Sequence, residues 1–141
     1  VFNGTERRMK VTSVDTDGHL PAFVSTYPVG VPHPLHIHHD AIESFYILDG
    51  AARFHVDGES REAERGSFLS VPCGVAHGFV ALVEGTRALV LFTPSAMEGF
   101  WEELAGAAEA GALDGVDVAG LYQRHSLEPV GPLPDSSLES D

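Results

Sequence analysis

One cysteine, Cys73, is all the thiol chemistry in the 141 residues, so no intrachain disulfide framework can staple the chain. Basic residues are scarce as well: eight Lys and Arg stand against 21 Asp and Glu, for a net charge of −13. Such a field repels phosphate backbones and anionic membranes, which sets aside nucleic-acid and membrane partners and leaves solubility as the plain role of the acidity. Long hydrophobic runs are missing; the longest, such as Ala88–Phe92, are far too short to span a bilayer. Nothing resembles a signal peptide, no serine sits in a nucleophile-elbow context, and no glycine-rich loop is built for phosphates. A cytoplasmic location is the expectation.

No repeat or composition break divides the chain, and its length is enough for one domain to bury a core without staples. Short strands punctuated by turn residues run from Lys10 to Thr93. They are KVTSVDT, closed by Asp17-Gly18, then Ala22–Tyr27, Ser44–Leu48, Ala52–Val56, Ser67–Val71, His77–Val83 and Arg87–Thr93. Asp49-Gly50 and Asp57-Gly58 supply the positive φ of tight hairpins, and evenly spaced short strands predict a sandwich or barrel. After Thr93 the pattern turns helical. Ser95 and Glu98 form a capping box, and Met97, Phe100, Trp101, Leu104 and Ala108 share one face. A shorter helix is expected from Asp117, carrying Val118, Leu121 and Tyr122. The favoured expectation packs this stripe on the outside of the barrel; a lid over the mouth is the alternative. The expected division is a barrel over 1–93, a helical extension packed on it over 94–134, and a frayed tail over 135–141.

The chemistry lies in two stretches. In GVPHPLHIHHDAIESFYILDG, His36 and His38 are one residue apart, so on a strand both imidazoles share a face while Ile37 and His39 point away. Glu43 opens the next strand, on a face continued by Phe45 and Ile47. In GSFLSVPCGVAH, His77 follows the rigid Pro72-Cys73-Gly74 turn and offers a fourth ligand. Three imidazoles and a carboxylate suit Fe, Ni, Mn, Cu or Zn far better than Mg²⁺ or Ca²⁺. The inward positions nearby are apolar, with Phe45, Ile47, Phe54, Val56 and Phe79 around the small Ala52 and Ala81. Four protein ligands leave two octahedral positions open, so this cavity suits a flat phenolic or enolic ligand held through a deprotonated oxygen. Glu43 is then both ligand and candidate general base. His33 either lines the cavity entrance or is an exposed loop histidine. His39 is expected at the surface or behind the ligands, and His19, His55 and His125 at the surface. Cys73 has no activating neighbours.

The spacing Gly30-x5-His36-x-His38-x4-Glu43-x6-Gly50, followed by Gly66-x5-Pro72-x-Gly74-x2-His77, matches both signatures of the cupin superfamily. Two departures stand out: Ala81 replaces the usual closing Asn, opening apolar space, and Ser67 replaces the Asp common after the first glycine. Together with ALVLFTPSAMEGFWEEL and LYQRHSLEPVGPLP, the first stretch resembles the quercetin 2,3-dioxygenase-like monocupins of actinobacteria, over about Leu20 to Pro134.

That resemblance implies an all-β, single-domain cupin (a double-stranded β-helix or jelly-roll barrel) with a short C-terminal helical segment. It implies one divalent first-row metal on His36, His38, Glu43 and His77. It further implies a dioxygenase that takes O2 and a flavonol-like or other enolic aromatic substrate into a pocket lined by Phe45, Ile47, Phe54, Phe79, Ala81 and His33. The same ligands serve two other readings. One is a non-redox cyclase or isomerase of a polyketide-like secondary metabolite, with Zn; the other is a non-catalytic small-molecule-binding cupin. Homodimerisation through an outer sheet face is a further trait of such proteins.

Overall fold

The computed structural model of the chain describes residues 4–94, 98–111 and 118–134; the side chains of 98, 99, 101, 105, 108 and 118 lie outside that description. Among the described residues, ten strands form two antiparallel five-stranded sheets. The first runs in the order β1 (Glu6–Val11), β2 (Ala22–Tyr27), β9 (Thr86–Thr93), β4 (Ile42–Asp49), β7 (Phe68–Val71). The second runs β10 (Leu127–Gly131), β3 (Pro32–His38), β8 (His77–Ala81), β5 (Ala51–Val56), β6 (Glu59–Glu64). Between them Phe45, Phe54 and Phe79 pack edge-on or stacked at centroid distances of 5.0 to 5.6 Å. This is the all-β barrel the turn spacing predicts.

Alternation explains which residues reach that interior. On β4 the side chains of Glu43, Phe45 and Ile47 are buried while Ile42 and Tyr46 are exposed. On β2 Phe23, Ser25 and Tyr27 turn inward together. The hairpin from β5 to β6 is closed by Asp57 and Gly58 at φ of 51° and 80°, the paired positive values that a two-residue turn matched to strand twist requires.

Three elements differ from expectation. The first strand lies at Glu6–Val11, because Thr12–Gly18 is knotted into turns by Asp15, which accepts from the Thr12 N–H and hydroxyl at 3.0 and 3.1 Å. ESREAE forms β6 although only Ala63 is buried, since a charged edge strand needs only its partner's ladder and resists further pairing. Within the stretch expected to be helical, Leu127–Gly131 returns as β10 and pairs with β3. Its Pro129 is tolerated because β10 is an edge.

Among the described residues, two helices precede β10: α1 (Glu98–Glu109) and α2 (Val118–Arg124). The expected Ser95 cap, Met97 and Asp117 lie outside the described residues, as do the side chains of Glu98, Trp101, Ala108 and Val118. The buried Phe100, Leu104 and Leu121 join the core cluster that contains Phe23 and Phe92, and Phe100 stacks on Tyr122 at 5.6 Å. All four of these helical residues line the barrel's cavity at its mouth. The apolar rings of β2 and β9 at that mouth give the helical stripe more area to bury than a solvated sheet face would. Among the described residues no helix is long and apolar enough to cross a membrane.

Close packing across β8 positions the site. A Cβ on Gly78 would stand 2.6 Å from the His33 carbonyl oxygen and 2.8 Å from Leu133 Cδ2, so bare backbone is required where β3 and the C-terminal segment press on β8. Gly106 on α1 has nothing within 4 Å of the same position. Gly78→Ala should therefore destabilise by about 1–3 kcal/mol through overpacking. Gly106→Ala should stabilise by up to about 1 kcal/mol through helix propensity. Urea denaturation of the two variants checks the opposite signs.

Candidate metal centre

Strand pairing brings the four expected ligands together. His36 on β3 stands directly opposite His77 on β8, so their side chains share the inner face, with ring centroids 4.3 Å apart. His38 follows on the same face of β3, and Glu43 comes in from β4 of the other sheet. Glu43 Oε1 lies 2.8 Å from His77 Nε2, 3.2 Å from His38 Nε2 and 3.9 Å from His36 Nε2. All four ligand atoms fall within 4.8 Å of one another, and Glu43, His38 and His77 are buried.

The donor set fits a metal ion. His36 Nδ1–H donates to the Pro34 carbonyl at 2.8 Å and His77 Nδ1–H to the Val75 carbonyl at 3.0 Å. A carbonyl can only accept, so each ring holds a proton on Nδ1: its Nε2 is a bare lone pair when the imidazole is neutral and a donor to Glu43 when it is protonated. Lone pairs and a carboxylate oxygen crowded this closely repel one another unless a proton or a cation lies between them. The cluster could hold one divalent ion through three Nε2 atoms and Oε1.

Charge and burial compete at each group. Burial pushes Glu43 up, but hydrogen bonds from the three imidazoles outweigh it and hold the carboxyl well below its usual range. Burial lowers His36, yet Glu43 and the Pro34 carbonyl overcome it and the net shift is upward. For His38 burial prevails over Glu43, and the shift is downward.

Above the cluster opens a cavity of about 260 Å³, at the small end of small-molecule sites. Of the pocket residues expected from sequence, Phe45, Phe79 and His33 line it, whereas Ile47, Phe54 and Ala81 are buried in the core away from its wall. Strand parity placed those three on the inner face correctly but could not say how deep the packed rings would fill the barrel. His33 reaches the cavity through a bulge. Its register partner is Phe79 and that of His36 is His77, so Pro34 and Leu35 of β3 stand opposite the single Gly78 of β8. Pro34, which has no N–H for the ladder, sits at that irregularity. The extra residue turns His33 to the same face as His36, where its ring stacks on Phe79 at 4.3 Å and 5°.

Among the lining residues that were not expected from sequence are two polar ones, Arg7 on β1 and Tyr27 on β2. Tyr27 was legible from the Phe23-Ser25-Tyr27 alternation. Arg7 was not, because its strand lies earlier than the turn pattern suggests. Burial pushes the Tyr27 phenol up to about 12, against the pull of Ser25 and Arg7. Among the other histidines, His39 is at the surface, with Nε2 3.0 Å from Glu128 Oε1. His125 is partly buried 3.1 Å from Glu103. His55, expected at the surface, is buried at 7% exposure opposite the bare backbone of Gly78. The Cys73 thiol donates to the His39 carbonyl.

Burial and the nearby Arg7 charge lower His33 from 6.5 to about 4. The unfolded chain therefore binds a proton that the native state refuses between these values, so this contribution is full above about pH 6.5 and is lost as pH falls toward 4. Arg7, Tyr27, His36 and Glu43 face the same space, so the His33 part is isolated by comparing variants. Between pH 7 and 4.5, wild type should lose roughly 2 kcal/mol more stability than His33→Phe, less than the full shift because the cavity is open to water. Coincident pH slopes in chemical denaturation would contradict the assignment.

Comparison with known proteins agrees with this geometry. A family description reading "Cupin domain" matches residues 23–93. Uncharacterized protein SCO3923 of Streptomyces coelicolor is 39% identical over 56 residues, 40% of this chain and 53% of that protein. Quercetin 2,3-dioxygenase of Bacillus subtilis is 28% identical over 97 residues, 69% of this chain and 29% of that protein. The chain thus spans about half of the first relative and under a third of the second. The structure of KdgF from Halomonas sp. superimposes with a TM-score of 0.62 at 25% identity, over 67% of this chain and 83% of that one. By its sequence match, its barrel and its two motifs, the chain belongs to the cupin family.

Proposed function

We propose that the protein is a metal-dependent dioxygenase acting on an enolic or phenolic aromatic compound of flavonol type. The observation that carries this reading is the three-imidazole, one-carboxylate cluster at the base of a small cavity walled by aromatic rings. Similarity to a quercetin 2,3-dioxygenase supports it. A first-row ion (Fe, Ni, Mn or Cu) held by His36, His38, Glu43 and His77 would supply open positions for a substrate oxygen and for dioxygen.

The protein's own residues have separable tasks. Phe45, Phe79 and Phe92 give the cavity flat apolar walls that align a planar ring system and exclude water. Glu43 is ionised at neutral pH and sits where an enol or phenol hydroxyl would approach the cluster, so it is placed to accept that proton. The hydrogen bonds that depress its basicity come from the imidazoles, and they are surrendered when the Nε2 atoms ligate. Phe100 and Tyr122, stacked over the mouth, limit access of bulk water. In oxidative ring cleavage both atoms of O2 enter the products and the substrate itself gives up the four electrons, so no external reductant is needed.

A non-redox isomerase or cyclase, with Zn in the same cluster, is the second reading. It is favoured by the polar Arg7 and Tyr27 in the cavity wall, groups that apolar ring cleavage does not require. Oxygen uptake decides between them. Protein loaded in turn with Fe, Ni, Mn and Cu should consume O2 with quercetin, and His38→Ala should cut the rate by 100-fold or more with an unchanged fold. Absence of uptake with every flavonol and catechol tried would sink the dioxygenase reading, and product formation under argon would put isomerisation in its place.

A further inference from the structure

The three imidazoles of the cluster are not held alike. His36 and His77 each donate from Nδ1–H to a backbone carbonyl two residues back, that of Pro34 or Val75. The buried Nδ1 of His38 has no hydrogen-bond partner among the described residues. Its ring is 4% exposed and packs edge-on to Phe92 at 5.0 Å. Local backbone accounts for the difference. Pro34 lies in the bulge of β3, and Val75 in the irregular stretch between the Pro72–Gly74 turn and β8, so each carbonyl is free of a regular ladder. His38 instead ends a regularly paired stretch, Ile37 opposite Glu128 and His38 opposite Leu127. In such a strand the carbonyls lie in the sheet plane while the side chains stand out of it. Pairing thus brings His38 to the centre but puts no acceptor behind it.

A neutral imidazole that ligates through Nε2 carries its proton on Nδ1. A carbonyl behind that proton orients the ring and strengthens its donor nitrogen, and such partners contribute roughly 10- to 100-fold to metal affinity. Ligating through Nε2, His38 would leave its Nδ1–H buried and unsatisfied, a cost that His36 and His77 do not carry. Coordination number gives the asymmetry a use. Four protein ligands leave two octahedral positions, and an enolic or catecholic chelate with two neighbouring oxygens fills both. A further small molecule then enters only where a side chain gives way.

We propose that His38 is the exchangeable ligand of the cluster: His36, Glu43 and His77 hold the ion, and His38 yields its place once a chelating substrate crowds the centre. The step is a ligand substitution. The bond from His38 Nε2 breaks, a bond from an incoming oxygen forms, and His38 transfers neither proton nor electron. With Zn, which favours four ligands, chelation alone is enough to drive the exchange. The inference rests on the metal-binding site proposed above and assigns the moving part within it.

The test uses NMR of Zn-loaded wild-type protein, isotopically labelled at the histidine nitrogens. The Nδ1–H signals of His36 and His77 should lie downfield, as hydrogen-bonded protons do, and that of His38 upfield of both. Saturation with catechol should move the His38 Nε2 signal to that of a free imidazole while His36 and His77 keep their metal-bound positions. Zn affinities from chelator competition supply an independent ranking. His36→Ala and His77→Ala should each weaken binding by about 10-fold or more beyond the loss in His38→Ala. The wild-type spectra carry the test if a variant does not fold. A His38 Nδ1–H as far downfield as the other two, retention of all three imidazoles in the catechol complex, or equal losses in the three variants would overturn the assignment. Wild type that takes up no Zn would overturn the metal site itself, and the inference with it. Wild type that takes up Zn but no catechol would count against the proposed substrate class, and the affinity ranking then decides on His38.

Discussion

The pairing of β3 with β8, in which His36 faces His77, is the constraint on which the site depends. It places two imidazoles on one inner face at 4.3 Å, and the alternation of β3 adds His38 without any further device. Glu43 then needs only to come from the opposing sheet, where its neighbours Phe45 and Ile47 are anchored in the core. A one-residue slip of β3 would carry all its ligands to the other face. The bare backbone of Gly78 lets His33 and Leu133 press on β8, and β10 flanks β3 on its other side. β3 is thus held on both edges.

Within that frame the chain concentrates polarity in a small apolar space. Four candidate ligand groups cluster there, and Arg7, Tyr27 and His33 line the cavity wall. The aromatic residues between them do two things: they exclude water, which strengthens every charge interaction inside, and they fix ring orientations through edge and stacking contacts. The helices complete the enclosure. Phe100, Leu104 and Leu121 belong to the same buried cluster as the barrel rings, so cover and core are one packing unit.

The barrel and the side chains that the structure gathers into the candidate metal centre are legible in the sequence because both rest on local rules. Turn residues with positive φ mark the strand ends, and period-two alternation assigns faces. The spacing of His36, His38, Glu43 and His77 carries the rest. What was not legible depends on long-range packing. Strand β6 carries little apolar pattern, and β10 follows helices in a stretch with no alternation to announce it. For the helical stripe, a periodic pattern says that a face is buried but not against what; its described members Phe100 and Leu104 join the core cluster. Ile47, Phe54 and Ala81 share the inner face, but how far the rings fill the barrel is a property of three-dimensional packing. His33 reached the cavity only through the bulge at Pro34, and Arg7 stands on a strand whose start the turns concealed.

The central claim is that these four side chains bind one divalent transition-metal ion. Elemental analysis of protein purified without added metal, alongside Glu43→Ala carried through the same steps, tests it most directly. The account predicts close to one first-row ion per wild-type chain and a loss of 10-fold or more in occupancy for the variant at unchanged fold. A folded wild-type protein that neither carries such an ion nor takes one up stoichiometrically would contradict it.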